Sequence, residues 1–311
     1  MTDLFEEKEI SPMLLGEEKE PFDDPEYIYE LKLDGIRCIA YLEKGKVTLR
    51  NKRNKDVTDI YPELSEIWRT AYQRCILDGE LVAFTDGKPD FYALQKRSLM
   101  TDGFRIGIAA KRNPVQFVAY DILYAGKKRI TDKTQEERKK ILSDTVRDGE
   151  NLSVSRWIEG KGKDFFALTK RQGLEGIVAK RKDGKYHIGK RTRDWIKIKV
   201  MQDEDLLICG YQPDENGDVK DLVLGYKDEN GKLKNRGKVY LGVSKEDKKI
   251  VREFAKKNTV ARAWFDKYKN VVWLKPELVG TAHFMQETEN GTMRQPVFKA
   301  VSYTHLTLPT T

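Results

Sequence analysis

The chain has 311 residues, enough for two domains with substantial cores, and with 35% charged and 10% aromatic residues it is a polar but foldable chain. Three scattered cysteines without a CxxC pair and three scattered histidines exclude a disulfide framework and speak against a zinc site, which suits a reducing cytosol; no apolar run approaches the ~20 residues of a membrane span. The net charge of +8 is uneven: ten acids against two lysines precede Tyr27, leaving 56 basic and 40 acidic residues beyond it, a field that suits a polyanion such as nucleic acid.

Residues 1–26 hold no periodic segment and do not read as a signal or transit peptide; Ser11 to Leu15 reads as an anchored extended piece. Tyr27 to Leu31 and Cys38 to Leu42 alternate like strands around a tight turn at Gly35. Between them runs Glu30-Leu31-Lys32-Leu33-Asp34-Gly35-Ile36-Arg37, with Glu30, Lys32 and Asp34 at alternate positions. A lysine there is either an ordinary salt-bridged surface residue or a nucleophile. A free ammonium has a pKa near ~10.4, so a nucleophile needs burial and nearby cations to lower it. Gly35 lets backbone approach a ligand closely, and Arg37 offers a fixed fork of donors to phosphate or sugar oxygens.

Val47 to Leu49 reads as a strand, followed by the basic loop Arg50 to Lys55, and the spacing predicts a helix over Pro62–Tyr72. Cys75 to Phe84 is a buried strand interrupted by Asp78-Gly79-Glu80, an expensive place for two acids unless something binds them. Phe91–Leu99, Thr134–Leu142 and Asp164–Gln172 read as helices. Val115 to Leu123 is an apolar strand with the lone acid Asp121, and Leu174 to Lys180 carries Glu175 and Lys180. Trp195 to Val200 alternates, which puts Lys197 and Lys199 on one face. One such charge inside an apolar strand is more often a satisfied core group than a site. Several strands that each deliver one are a constellation, because buried charges must be paired or ligated.

Residues 181–199 hold eight Lys/Arg against two Asp, a candidate surface for DNA phosphates. Gly184 to Arg191 fits G-x-x-x-x-G-K, but arginine stands where a phosphate-binding loop needs Ser or Thr, and a strand follows instead of a helix. Beyond Gln202-Asp203-Glu204, the expected hinge, short strands are predicted at 206–211, 222–226, 239–243, 271–274 and 278–284, with a helix over 246–256. Such a set suggests a five-stranded OB barrel.

The segment Lys32-Leu33-Asp34-Gly35-Ile36-Arg37 resembles the first motif of the covalent nucleotidyltransferases: DNA ligases, RNA ligases and mRNA capping enzymes. The later motifs follow in the family's order: Asp78-Gly79-Glu80, Phe117 to Asp121, Glu175 to Lys180, and Trp195 to Lys199. Arg294-Gln295-Pro296-Val297-Phe298 is similar to the start of a sixth. The likeness runs from about residue 27 to 300 and is greatest to ATP-dependent DNA ligases of the compact bacterial and archaeal end-joining type.

That resemblance implies an α+β fold of two domains: an antiparallel-sheet nucleotidyltransferase (ATP-grasp-like) adenylation domain at 27–202, then an OB-fold β-barrel at 203–300. Residues 1–26 would be an N-terminal extension. It implies a DNA ligase that seals 5′-phosphate/3′-hydroxyl nicks in duplex DNA through a lysyl-AMP and a DNA-adenylate, in DNA repair, recombination and replication. Lys32 would be the nucleophile, with Lys197 and Lys199 neutralising the α-phosphate. Glu30 would face the adenine amino group and Tyr120 would stack on the ring. Arg37 and Glu80 would hold the ribose, and Arg53, Lys180 and Arg294 would complete the nucleotide site. Glu175, with Asp34, would hold Mg²⁺ or Mn²⁺. ATP would be the AMP donor, the DNA partner nicked or broken, a Ku-like end-binding protein a further partner, and the chain a cytoplasmic, nucleoid-associated monomer. No helical DNA-binding domain precedes Lys32, so grip on the duplex would come from the two core domains or a partner.

The sixth motif normally runs on to a charged ending, whereas residues 301–311 contain no Lys, Arg, Asp or Glu. They read as a non-native tail, which predicts impaired self-adenylation. The alternatives are an RNA ligase, a capping-type enzyme using GTP, or a non-catalytic OB-containing nucleic-acid-binding protein. Binding alone needs no nucleophile, which tells against the last. NAD-dependent ligases carry an extra N-terminal domain and a zinc site.

Overall fold

The computed structural model describes residues 3–85, 87–288 and 290–302. The chain separates into two compact units, the first ending at Val200 and the second starting at Met201. The first unit opens with α1 (Leu4–Glu7), β1 (Leu14–Glu18), β2 (Tyr27–Leu31), β3 (Ile36–Glu43), β4 (Lys46–Asn51), β5 (Cys75–Val82), β6 (Phe84–Thr85) and β7 (Lys88–Pro89). It continues through α2 (Phe91–Ser98), α3 (Gly103–Arg112), β8 (Gln116–Ala125), β9 (Lys128–Arg129) and α4 (Gln135–Thr145). Then come β10 (Leu152–Val154), β11 (Trp157–Glu159), α5 (Gly162–Arg171), β12 (Gly176–Arg181) and β13 (Arg191–Lys199).

These strands make two principal sheets, ordered β1-β13-β12-β2-β11 and β10-β8-β5-β3-β4. Neighbours run antiparallel except β1 beside β13 and β10 beside β8. The second sheet is apolar on both faces, because both are covered. On one face Leu77, Leu81, Phe117 and Ile122 pack with Leu64, Leu94 and Leu142. On the other, Ile39, Tyr41, Ile76 and Leu123 meet Phe5, Ile10, Met13 and Trp195. Trp195 belongs to β13, so this second cluster is where the two sheets face each other. On the first sheet, Tyr29, Ile177, Ala179 and Ile198 pack against Phe165 and Phe166 of α5.

Several expectations are corrected. β2 and β3 belong to different sheets, so the segment around Gly35 is a crossover and not a hairpin turn. Gly35 is required by packing within the protein: a Cβ there would lie 2.2 Å from the Leu81 carbonyl oxygen and 2.6 Å from Glu80 Cγ. β5 runs unbroken through Asp78-Gly79-Glu80, with Gly79 seated against the Phe117 ring and the Val118 carbonyl. Pro62–Tyr72 forms short 3₁₀ turns, at Pro62–Leu64 and Ile67–Thr70, in place of one helix. Residues 3–26 pack into the unit, with Phe5, Ile10 and Met13 at 1% exposure or less.

The second unit comprises β14 (Gln202–Pro213), β15 (Val219–Lys227), β16 (Leu233–Val239), α6 (Lys245–Asn258), β17 (Val272–Trp273), β18 (Val279–Phe284) and β19 (Val297–Ser302). The sheet order is β16-β15-β14-β18-β19, and its ends meet. The Phe298 N–H donates to the Leu241 carbonyl at 2.7 Å, and the Met293 N–H to the Arg236 carbonyl at 3.0 Å. Leu206, Ile208, Leu222, Phe284 and Phe298 fill the interior, with Val251 and Ala255 of α6. Five strands closed in this order, with one helix between the third and fourth long strands, make an OB-type barrel.

Two expectations change here as well. The strand expected at 239–243 lies earlier, as β16 over Leu233–Val239. Gln202, Asp203 and Glu204 are paired within β14 to Phe284, His283 and Ala282, so the expected hinge triad is strand, and Val200–Met201 alone separate β13 from β14. Of the expected tail, Val301 and Ser302 complete β19; residues 303–311 lie outside the described residues.

Candidate active site

Residues 32–35 cross from one sheet to the other, and Lys32 stands on this crossover. Its N–H donates to the Gly176 carbonyl at 2.9 Å, which ties it to the start of β12. Its Nζ lies 2.7 Å from Oε1 of Glu175, the residue just before β12. The cleft between the sheets is lined by Glu30, Lys32, Arg37, Glu80, Tyr120 and Lys180, with Leu15, Leu31, Leu33, Val178 and Trp195 as its apolar walls.

Strand register explains the gathering. Glu30, Val178 and Lys197 stand in one row across β2, β12 and β13, and two residues along, on the same face, Lys180 pairs with Trp195. Residues directly opposite share a face, so Trp195, Lys197 and Lys199 project to the same side as Glu30. From the facing sheet, Arg37 on β3 is paired in register with Glu80 on β5. The register between β5 and β8 shifts by one residue at Asp78/Gly79, which passes over Tyr120. Such a bulge re-aims a side chain, here into the cleft.

The innermost group is Glu30, 2% exposed. Its Oε1 meets Lys139 Nζ at 2.5 Å and Lys180 Nζ at 3.1 Å, and its Oε2 accepts from Ser155 Oγ at 2.8 Å. Lys180 also donates to the Tyr120 carbonyl at 3.3 Å and stands 4.6 Å and 4.2 Å from the ring centres of Tyr120 and Trp195. Burial presses the Lys180 ammonium down to about 8, against the pull of Glu30.

Arg37 forks onto Asp78, with Nε to Oδ1 at 3.0 Å and Nη2 to Oδ2 at 2.5 Å, and its third nitrogen donates to the Met13 carbonyl. Asp78 is fully buried and also accepts from the Tyr186 hydroxyl at 2.7 Å. The guanidinium expected to hold a ribose is thus itself held by a carboxylate, a backbone carbonyl and a phenol. Its donors form a fixed platform 5.7 Å from the Tyr120 ring centre. Burial pushes the Glu80 carboxyl up to about 8 even though Lys32 and Arg37 favour its anion. Burial also raises the Tyr120 and Tyr186 hydroxyls well above the usual phenol range.

Beside the cleft, on the same face of β13 as Trp195, the groups are wetter. Lys197 and Lys199 each reach a carboxylate oxygen of Glu17 on β1 at 3.2 Å, and Glu17 is 54% exposed. Burial acts upward on the Glu17 carboxyl, and the two lysines outweigh it to hold the group below its ordinary value. The basic stretch 181–199 is partly neutralised in the same way: Arg193 pairs with Glu18 at 3.1 Å, Lys182 with Glu159 at 3.0 Å and Arg181 with Asp183 at 2.7 Å. The acidic N-terminal segment thus folds onto the basic one.

Not every expected residue joins the cleft. Asp34 lies on the crossover but, like Glu175, Lys197 and Lys199, is not among the lining residues. Arg53 is exposed in the turn after β4, its N–H donating to Asn51 Oδ1 at 2.9 Å. Arg294 belongs to the second unit, in the bend before β19. Among the described residues no group of three or more His, Cys, Asp and Glu forms a metal centre. Conversely, Lys139, Ser155, Tyr186 and Glu17 carry no signal in the sequence, and Asp78 is given no role of its own there. Asp78 stands inside a quoted motif, but Lys139 sits on a helix whose charged pattern reads as a solvated face, and nothing in that pattern marks it as 3% exposed.

Comparison with known proteins gives this cleft relatives. Residues 15–199 match the family model of the ATP dependent DNA ligase domain, and residues 215–303 that of the ATP dependent DNA ligase C terminal region. The SPbeta prophage-derived DNA ligase-like protein LigB of Bacillus subtilis is 35% identical over 220 residues, 70% of this chain and 76% of LigB. The multifunctional non-homologous end joining protein LigD of Mycobacterium bovis is 28% identical over 287 residues, 89% of this chain but 36% of LigD, so the chain spans about a third of that relative. The crystal structure of the ligase domain from M. tuberculosis LigD has a TM-score of 0.57 at 26% identity and covers 95% of each chain.

Proposed function

The chain belongs to the ATP-dependent DNA ligases, and we propose that it seals 5′-phosphate/3′-hydroxyl nicks in duplex DNA by way of an AMP joined to Lys32. The observation that carries this reading is the position of Lys32: a lysine on the crossover between two sheets, at a cleft with Glu175 2.7 Å from its Nζ. The first unit is read as the adenylation domain and the second as the OB domain.

In the first step, Lys32 Nζ attacks the α-phosphorus of ATP; a P–N bond forms and the P–O bond to pyrophosphate breaks. The ammonium must lose its proton beforehand, and the Glu175 carboxylate is a proton acceptor within hydrogen-bond reach. Lys197 and Lys199 exchange Glu17 for the oxygens of the α-phosphate, offsetting the charge that builds in the transition state. Glu30 accepts from the 6-amino group of adenine and Tyr120 lies against the ring. Glu80, held neutral by burial, donates to a ribose oxygen beside the Arg37 platform. AMP then passes to the 5′-phosphate at the nick, and the 3′-hydroxyl displaces it to close the strand. Arg53, Lys180 and Arg294 are kept as further nucleotide- or phosphate-binding positions.

A hard divalent cation fits here as a guest of the phosphates. Glu175 supplies one carboxylate, Asp34 is the second candidate, and the remaining ligands would be phosphate oxygens and water. When bound, Mg²⁺ or Mn²⁺ would offset phosphate charge. The names of the LigD relatives, which print non-homologous end joining, support a role in end joining; a Ku-like end-binding partner is part of the same proposal. A cytoplasmic monomer completes the reading. Incubation with labelled ATP, GTP or NAD⁺, followed by denaturing electrophoresis and a nicked-duplex sealing assay, tests it. Label from ATP alone, with sealing, is expected. Label from GTP or NAD⁺ in preference to ATP, or label without any sealing of DNA, would refute it.

A further inference from the structure

Glu30 has more partners than a base-reading carboxylate needs. Its three close contacts come from three different elements: Lys180 of β12, Ser155 of the β10–β11 connection, and Lys139 of α4. Lys139 is the one none of the strand motifs supplies. It is 3% exposed and stands 2.5 Å from Glu30 Oε1, with its ammonium 5.0 Å from the ring centre of Trp157. Trp157 is Glu30's cross-strand partner on β11. Lysine is rarely buried so completely unless it is paired, and the pairing here is directed at one residue of the cleft.

The contacts dictate how Glu30 presents itself. An ionised carboxylate has about four lone-pair sites and no donor. Lys139 and Lys180 both stand beside Oε1 as ion pairs without a directed hydrogen bond, and Ser155 takes one site on Oε2. Acceptor sites on both oxygens are left over, in a carboxylate that cannot rotate without breaking an ion pair. A 6-amino purine donates to such a site, whereas a 6-oxo purine presents a second acceptor to it and leaves both unpaired. We propose that Lys139 is the positioning residue that gives the cleft its preference for adenine over guanine, by fixing the Glu30 carboxylate as an acceptor aimed at the 6-position of the base. Lys180 alone does not suffice, since it also serves the Tyr120 carbonyl and burial presses its ammonium down to about 8.

This inference rests on the reading of Glu30 as the residue facing the base, and the test separates the two. Transfer of labelled AMP or GMP to the full chain is measured at varied nucleotide for the wild type, Lys139→Met, Lys139→Arg and Glu30→Ala. Lys139→Met is expected to raise the KM for ATP about tenfold with kcat within about threefold, and to lower the ATP:GTP preference at least about tenfold, the scale of one misaligned polar contact. Lys139→Arg is expected to restore most of the preference. Should Lys139→Met fail to fold, Lys139→Gln carries the same comparison. Loss of preference in Glu30→Ala with wild-type KM and preference in the Lys139 variants overturns the Lys139 inference alone. Unchanged preference in Glu30→Ala overturns the reading of Glu30. A fall in kcat at unchanged KM and preference would make Lys139 merely structural and would also overturn it.

Discussion

The buried charges of the cleft and the lysine pair beside it are built on opposite plans. Around Glu30 the charges are dry and fixed: Glu30, Lys139 and Lys180 are each no more than 3% exposed and locked to one another. Around Lys197 and Lys199 the partner is an exposed carboxylate that water can replace. The difference follows from what each is asked to do. A base keeps its donors and acceptors throughout the reaction, so its reader can be preorganised and buried. A phosphate changes charge and leaving group, so its neutralising lysines must be able to change partners.

The comparison can be broken most strongly at the lysine pair. Lys197→Ala and Lys199→Ala should each slow AMP transfer to Lys32 by about a hundred- to a thousandfold, the usual cost of one transition-state charge contact. Melting temperatures should move little, since the carboxylate they lose is itself exposed. Single-turnover labelling beside thermal denaturation checks both halves. Among the buried charges, Asp121 and Arg138 form a fully buried fork, 2.8 Å and 2.9 Å long, in which Arg138 outweighs burial and holds the Asp121 carboxyl below its ordinary value. Asp121→Asn should cost about 3–5 kcal/mol of stability, as removal of one partner of a buried pair does. Denaturant titration would read that loss, while the transfer rate per folded molecule changes far less.

Glu80 sharpens the comparison through pH. Its carboxyl is raised to about 8 in the fold from an ordinary value of 4.5. The neutral form is therefore the one the fold favours, and its contribution to stability is complete below pH 4.5 and lost as pH rises through 8. Glu80→Gln mimics the neutral carboxyl and has no such titration. The melting temperature of Glu80→Gln relative to wild type should climb between pH 5 and 8 and then level off. A difference that is constant with pH would show that Glu80 is ionised in the fold. The smallest effect belongs to Glu17→Gln: stability should change by under ~1 kcal/mol, and the KM for ATP should fall about two- to fivefold, because the lysines lose a competitor for phosphate. A rise in that KM would mean that Glu17 holds the lysines in place and does not compete.

Much of this site was legible in the sequence, for a physical reason: charges inside apolar strands are conspicuous. Lys32, Glu80, Glu175, Lys180 and the alternating Lys197 and Lys199 stand out for that reason, and the strand periods that carry them are simple. What was not legible is the partner of each. Lys139 and Arg138 lie on a helix rich in charge, and burial of that face depends on β8 and the 181–190 segment, which are distant in sequence. Glu17 and Met13 arrive through a strand paired in parallel with β13, a pairing that no local pattern announces. In sequence the crossover at residues 32–35 reads as a turn, because strand, glycine, strand is the same string whether the second strand returns to its own sheet or enters another.

The most direct measurement is a mass-spectrometric map of the chain after incubation with ATP and Mg²⁺. One AMP on the peptide that holds Lys32, absent from Lys32→Ala together with all sealing of nicked duplex, is the expected result. AMP on a different residue, or nick sealing by Lys32→Ala, would contradict the account at its root.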